Sequence, residues 1–85
     1  IFGDGGEDDP EVVNEIESTL RGVSQDRYGK YTFVLADGSR WVQIDTMQMP
    51  LEPRAGNTIR IRRAAMGSYL ANVQGQRAVR VRRER

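Results

Sequence analysis

Arginine alternates with isoleucine or valine in two short stretches, residues 59–63 and 79–83, of this 85-residue chain. In a β-strand, successive side chains point to opposite faces, so the isoleucines and valines would face a core. The arginines between them would line one outer face; they are Arg60, Arg62, Arg80 and Arg82. The alternation therefore predicts an all-β domain with a basic face.

Length and composition narrow the classes of protein that the chain can form. Eighty-five residues suffice for one domain of modest stability. The sequence contains no Cys and no His. These absences exclude disulfides and thiolate metal sites, and they remove the commonest general base and metal ligand. No run of about 18 apolar residues is present, so no transmembrane helix is predicted.

Charge is distributed unevenly along the chain although the net charge is only +1. Residues 1–17 contain seven acids and no base, whereas residues 54–85 contain nine arginines and one acid. We expect residues 1–14 to form a flexible acidic arm, with either a short helix or the start of a strand at its end. Two interpretations of the arm stay open, a solubilising tail and a cover for the basic face. Residues 15–85 would form the folded domain.

Turn signals divide the rest of the chain into short strands. We expect strands at about 15–24, 30–36, 39–46, 58–63, 68–73 and 76–83, with a bulge at Gly22. Few helical signals and several tight turns predict a five- or six-stranded barrel or rolled antiparallel sheet, SH3-like or OB-like.

The turns also predict which side chains share a face. A two-residue turn at Asp37-Gly38 would pair Phe33 with Val42 and turn Trp41 away from the main core. A two-residue turn at Gln74-Gly75 or Gly75-Gln76 would put Leu70, Val79 and Val81 on the core face. Tyr69 would then lie among the arginines.

The basic face is the main candidate ligand-binding site, and its residues are Arg60, Arg62, Tyr69, Arg80 and Arg82. Guanidinium groups bind phosphate or carboxylate, and an interleaved ring stacks on bases. The face could therefore take single-stranded nucleic acid, lipid head groups, an acidic polysaccharide or an acidic protein. Two other interpretations stay open: a solvated surface that protects strand edges, and a base composition that favours Arg codons.

Trp41 is a second candidate, as a contact for a protein partner. The alternative is that the N-terminal segment, for instance Val12, Val13 or Ile16, covers its ring.

Nothing in the sequence indicates catalysis, a metal or a cofactor. The serines have no His to activate them, and the glycines of residues 3–6 are not followed by the Lys and Ser or Thr of a phosphate loop. The acids of residues 7–9 lack the spacing of a calcium loop. We therefore expect a protein that is not an enzyme, with no cofactor.

Three stretches together resemble a group of short proteobacterial proteins of no known activity. They are residues 28–33 (YGKYTF), 37–43 (DGSRWVQ) and 62–81, from RRAAMGSYL to QGQRAVRV. Members of the group carry an export signal and a variable linker before a small β domain. The resemblance implies an exported, periplasmic domain and makes anionic envelope components or an acidic protein the natural partners.

The function expected from the sequence is a non-enzymatic binding or adaptor module that uses its Arg/Tyr face for an acidic partner. The alternatives are an OB-like module for single-stranded nucleic acid and a structural module that contacts a protein through Trp41.

Overall fold

The computed structural model of the chain describes residues 15–84. The acidic arm expected at residues 1–14 lies outside the described residues. The described part of the chain contains six β-strands and no α-helix. The strands are β1 (Glu15–Gln25), β2 (Tyr31–Leu35), β3 (Arg40–Gln43), β4 (Thr58–Arg63), β5 (Tyr69–Val73) and β6 (Val79–Glu84), with a 3-10 turn at Ala65–Gly67.

These strands close into an antiparallel barrel in the order β1-β2-β3-β6-β5-β4. Two three-stranded meanders are joined by the connector at residues 44–57. Closure gives each of the six strands a hydrogen-bonded neighbour on both sides, so the sheet has no edge strand for another chain to extend. Parts of β1 and β6 are nevertheless paired on one side only. The predicted all-β barrel is confirmed in its six-stranded form.

The long strand β1 belongs to both meanders. Its first half pairs with β4, from Glu15 opposite Arg62 to Thr19 opposite Thr58, and its second half pairs with β2. The register shifts between Leu20 and Gly22. A bulge of this kind bends a strand and increases its twist, which allows one strand to close the barrel. The predicted bulge at Gly22 is therefore confirmed.

Apolar side chains from all six strands fill the interior. Ten apolar strand residues among those described form this core: Leu20, Phe33, Leu35, Trp41, Ile59, Ile61, Ala71, Val73, Val79 and Val81. The alternation in β4 and β6 has the predicted outcome, because their isoleucines and valines are buried and the arginines between them are exposed. At about 25 cal/mol per Å² of apolar surface, this burial is the main favourable contribution to folding.

The predicted register of the β2–β3 hairpin is wrong by one residue. Phe33 pairs with Trp41, and not with Val42. The loop has three residues, 36–38, and Gly38 alone among them has a positive φ, +87°. Because a type I′ turn needs a positive φ at both central residues, the loop is instead a type I turn followed by a left-handed glycine. A one-residue change of register exchanges the two faces of β3.

The register of the β5–β6 hairpin also differs from the prediction by one residue. Its turn is Gln74-Gly75, one of the two expected, with φ of 53° and 71° and a hydrogen bond from Gln76 N to Val73 O of 3.0 Å. An extra residue between this turn and β6 shifts the pairing, so Leu70 lies opposite Arg80. Leu70 was expected on the core face and instead shares the outer face with the arginines.

One polar side chain, that of Gln43, lies among the buried residues at 2% exposure. Its Oε1 accepts a hydrogen bond from Tyr31 N at 3.1 Å. Its Nε2 donates to Asp45 Oδ1 at 2.9 Å and to Met47 O at 2.8 Å. Since both ends of the amide are satisfied, its burial costs little and ties the connector to the barrel.

Candidate functional site

The outer surface of β4, β5 and β6 carries three exposed arginines around one leucine. Leu70 on β5 lies opposite Arg62 on β4 and opposite Arg80 on β6. Arg82 follows two residues along β6, on the same side of the strand. We call the set Arg62, Leu70, Arg80 and Arg82 the arginine face. Neighbouring strands lie about 5 Å apart, so Arg62 and Arg80 are separated by about 10 Å at their Cα atoms.

Arg60, predicted from the sequence to lie on the basic face, forms ion pairs with two carboxylates of β1. Its Nε lies 3.0 Å from Glu15 Oε2 and 3.0 Å from Glu17 Oε2, and its Nη2 also contacts Glu17. The hydrogen bond and charge of Glu17, aided by the charge of Glu15, raise the pKa of Arg60 above its ordinary value. Arg60 therefore contributes little unbalanced charge to a ligand.

A sequence signal for this pairing was available and was missed. Glu15 and Glu17 alternate along β1 as Arg60 and Arg62 alternate along β4. Opposite charges that face each other across neighbouring strands stabilise the pair. The Glu-x-Glu and Arg-x-Arg patterns therefore indicated that β1 and β4 are neighbours.

The other arginines of the face have different contacts. Arg80 donates from Nη1 to Ser68 Oγ at 2.6 Å, and its backbone N donates to Asp45 Oδ2 at 2.8 Å. These bonds position Arg80 without neutralising its guanidinium. Within residues 15–84, neither Arg62 nor Arg82 forms an ion pair. The face thus presents three guanidinium groups without a paired carboxylate from the described residues.

Tyr69 does not join the arginines, contrary to the sequence prediction. It lies opposite Val81, on the side of β5 that faces the core, and is half-buried there. Its ring packs edge-on against Trp41, with 4.9 Å between ring centroids. The shift that moves Leu70 outward also turns Tyr69 inward, because neighbouring residues on a strand point to opposite faces.

Trp41 is part of the core, so its predicted outward position is wrong. It is 1% exposed, and its Nε1 donates to Ser39 Oγ at 3.0 Å. The Arg83 guanidinium lies over the ring, 5.6 Å from its centroid. A side chain held in this way has no surface to offer a protein partner.

The turn next to Trp41 holds an acid with a specific structural role. Asp37 Oδ1 accepts hydrogen bonds from Ser39 Oγ at 2.6 Å and from Ser39 N at 2.8 Å. These bonds, the side-chain bond first, lower the pKa of Asp37 below its ordinary value of 3.8. Asp37, Ser39 and Trp41 therefore form a hydrogen-bonded chain from the exposed turn to the core.

Beside the arginine face lies a groove of about 630 Å³ formed by β1, β4 and β5. Its lining includes Arg60, Arg62, Glu17 and Asn72. Both charge signs meet in it, so it favours no ion strongly. The groove adjoins the arginine face, because Arg62 belongs to the lining of the groove and to that face.

The described part of the chain shows neither a cluster of metal-binding side chains nor a membrane-spanning helix. Residues 15–84 contain no group of three acidic, His or Cys side chains placed to hold a metal ion. No helix among them has the length and apolar character needed to cross a bilayer.

Comparison with protein-family models, with curated proteins and with solved structures gives no match to this chain.

Proposed function

We propose that this protein is a non-enzymatic binding module whose arginine face takes an acidic partner. The observation that carries the proposal is the set of three exposed guanidinium groups, on Arg62, Arg80 and Arg82, without a paired carboxylate from the described residues. Guanidinium is planar and always charged, and its donors match carboxylate or phosphate oxygens in pairs. An exported setting, implied by the resemblance, makes an envelope component or an acidic protein the natural partner.

Barrel closure weakens the main alternative for these arginines. Charged residues protect a sheet when it has an exposed edge that another chain could extend. Each described strand has a hydrogen-bonded neighbour on both sides in the closed order, so the barrel has no edge strand. Arg62 and Arg80 lie where β4, β5 and β6 pair with one another, so edge protection gives no reason for these two arginines to lie on the outer face.

The nucleic-acid and Trp41 alternatives are less well supported than the acidic partner. Single-strand binders combine a positive groove with rings on which bases stack. The ring expected to serve, that of Tyr69, lies on the core side of its strand and packs against Trp41. The burial of Trp41 likewise removes the contact on which the protein-interaction alternative was centred.

The test is a triple substitution with a control of equal charge. The triple variant carries Arg62→Gln, Arg80→Gln and Arg82→Gln. Its affinity for poly-glutamate should be at least about tenfold weaker, because each lost contact of an exposed charge is worth about 0.5–1 kcal/mol. The control joins Arg21→Gln, Arg27→Gln and Arg54→Gln, which are exposed arginines outside the face.

Fluorescence anisotropy with labelled poly-glutamate gives the affinities, and circular dichroism verifies that both triple variants fold. Binding to the wild-type protein should weaken as salt shortens the range of the charge interactions. Equal losses in the two triple variants would show that only net charge matters and would refute a specific face.

A further inference from the structure

We infer that the acidic partner is a polypeptide segment that places an apolar side chain on Leu70 between two carboxylates. This inference rests on the proposed function and specifies the partner of the same face. Its starting point is the row Arg62, Leu70, Arg80, in which the pairing of β4, β5 and β6 puts one apolar side chain between two guanidinium groups.

The apolar character of the face extends beyond Leu70. Ile44, just after β3, extends the row Arg62, Leu70, Arg80 by one residue, because its N donates to Arg80 O at 2.8 Å. The Ile44 side chain is 38% exposed. Val42, half-buried on the outer side of β3, lies opposite Arg82. Each of the two β6 arginines on the face therefore has an aliphatic neighbour on β3 or just after it. A ligand that covers the face must also cover aliphatic surface.

That requirement separates the classes of acidic ligand. A sulfated or phosphorylated polymer offers anionic groups but little apolar surface for Leu70, so the leucine would gain nothing from contact. A nucleic acid offers bases, yet among the described residues the face presents aliphatic side chains and no ring for them to stack on. A polypeptide offers carboxylates and aliphatic side chains within a few ångströms of each other, which matches both components of the surface.

The chain itself shows how carboxylates on an extended segment engage a neighbouring arginine that lies outside the arginine face, Arg60. Glu15 and Glu17 are two residues apart on β1 and both contact Arg60. The residue between them, Ile16, points to the other face and packs on the core. Side chains two apart on an extended segment are spaced about 7 Å, and Arg80 and Arg82 repeat at the same interval on β6. The same acidic spacing in a partner would match these two arginines.

The experiment compares three probes of matched charge on the full chain. They are a peptide of repeated Glu-Glu-Leu-Glu, the same peptide with serine in place of leucine, and oligothymidylate. We expect the leucine peptide to bind about fivefold more tightly than the serine peptide, because one aliphatic contact is partly desolvated. Leu70→Thr should remove that preference, and the control Leu51→Thr, at an exposed leucine of the connector, should keep it.

A second measurement keeps the test decisive if Leu70→Thr does not fold. The Leu70 methyl signals of the wild-type protein should shift on addition of the leucine peptide and hardly move with the serine peptide. Equal affinities of the two peptides, or a preference that survives Leu70→Thr, would overturn this inference and leave the proposed function standing. Tighter binding of oligothymidylate than of the leucine peptide would overturn a polypeptide partner. Failure of all three probes to bind would refute the proposed function itself.

Discussion

The register of the β2–β3 hairpin decides which side chain occupies the core, and two substitutions test it. Trp41→Phe removes the hydrogen bond to Ser39, worth about 1 kcal/mol, and reduces buried ring area by an amount worth about 1 kcal/mol more. We therefore expect a loss of about 2 kcal/mol of unfolding free energy. Val42→Ala removes carbon atoms from a half-buried outer position and should cost about 1 kcal/mol or less.

The alternative register reverses this order. If Phe33 paired with Val42, Trp41 would lie outside and its replacement by Phe would change stability little. Val42 would then lie in the core, where the loss of two carbon atoms and the resulting cavity would cost about 2 kcal/mol or more. The order of the two free energies therefore distinguishes the registers even if each magnitude is off by half.

The unfolding free energies of both variants are measured by urea titration with far-ultraviolet circular dichroism as the signal. This signal reports the backbone and does not depend on the substituted tryptophan. Val34→Ala is the matched control, since Val34 is a half-buried outer residue of β2 in either register. The wild-type protein gives an independent check: its single tryptophan should emit as a buried indole and resist quenching by acrylamide. A larger loss for Val42→Ala than for Trp41→Phe, or ready quenching, would refute the register.

Three further predictions follow from the turns and the ion pairs. Gln74→Asn should raise the unfolding free energy by about 0.5 kcal/mol in urea titrations, because Gln74 has a φ of 53° and Asn tolerates this left-handed conformation better. Asp37→Asn should destabilise the protein above pH 3.8. The difference in stability between the variant and the wild-type protein should shrink as the pH falls through the lowered pKa of Asp37, because protonation then removes the same contribution from the wild-type protein. Thermal unfolding across this pH range measures the difference. Glu17→Gln should raise the affinity for poly-glutamate about twofold by releasing Arg60, and the exposed Glu52→Gln, with the same charge change, should raise it less.

The parts of the fold that the sequence predicted depend on patterns within a single strand. The alternation in β4 gave both its bounds, Thr58–Arg63, and the outward direction of its arginines. Gly22 marked the bulge in β1 because a residue without a side chain suits a bend in a strand. Such patterns require no knowledge of which strand lies alongside.

The errors concern the registers between strands, which depend on a single residue in or near a turn. In the first hairpin, Asp37-Gly38 suggested a two-residue turn, but the hydrogen bonds from Ser39 to Asp37 favour a turn in which only Gly38 is left-handed. In the second, the turn is Gln74-Gly75, one of the two that were expected, and the extra residue comes after it. Glycine tolerates several turn types, so its presence predicts a turn better than it predicts a register.

These same errors explain why two side chains of the candidate site do not lie where the sequence predicted them. The directions of Arg62, Arg80 and Arg82 come from alternation within β4 and β6, so they survive any change of register between strands. The positions of Tyr69 and Trp41 came from hairpin registers, and both side chains were assigned to the wrong face.

The charge of the face depends on neighbours as well as on direction. Arg60 and Arg62 have the same outward orientation in β4, but β1 places two carboxylates against Arg60 and none at ion-pair distance from Arg62. On the other side of β4, β5 places Leu70 next to Arg62. The strand order of the barrel therefore converts a uniform arginine pattern into one neutralised arginine and three that surround a leucine. Since a ligand responds to these local differences and not to the number of arginines, Leu70 is the residue at which an acidic polypeptide and a simple polyanion should behave differently.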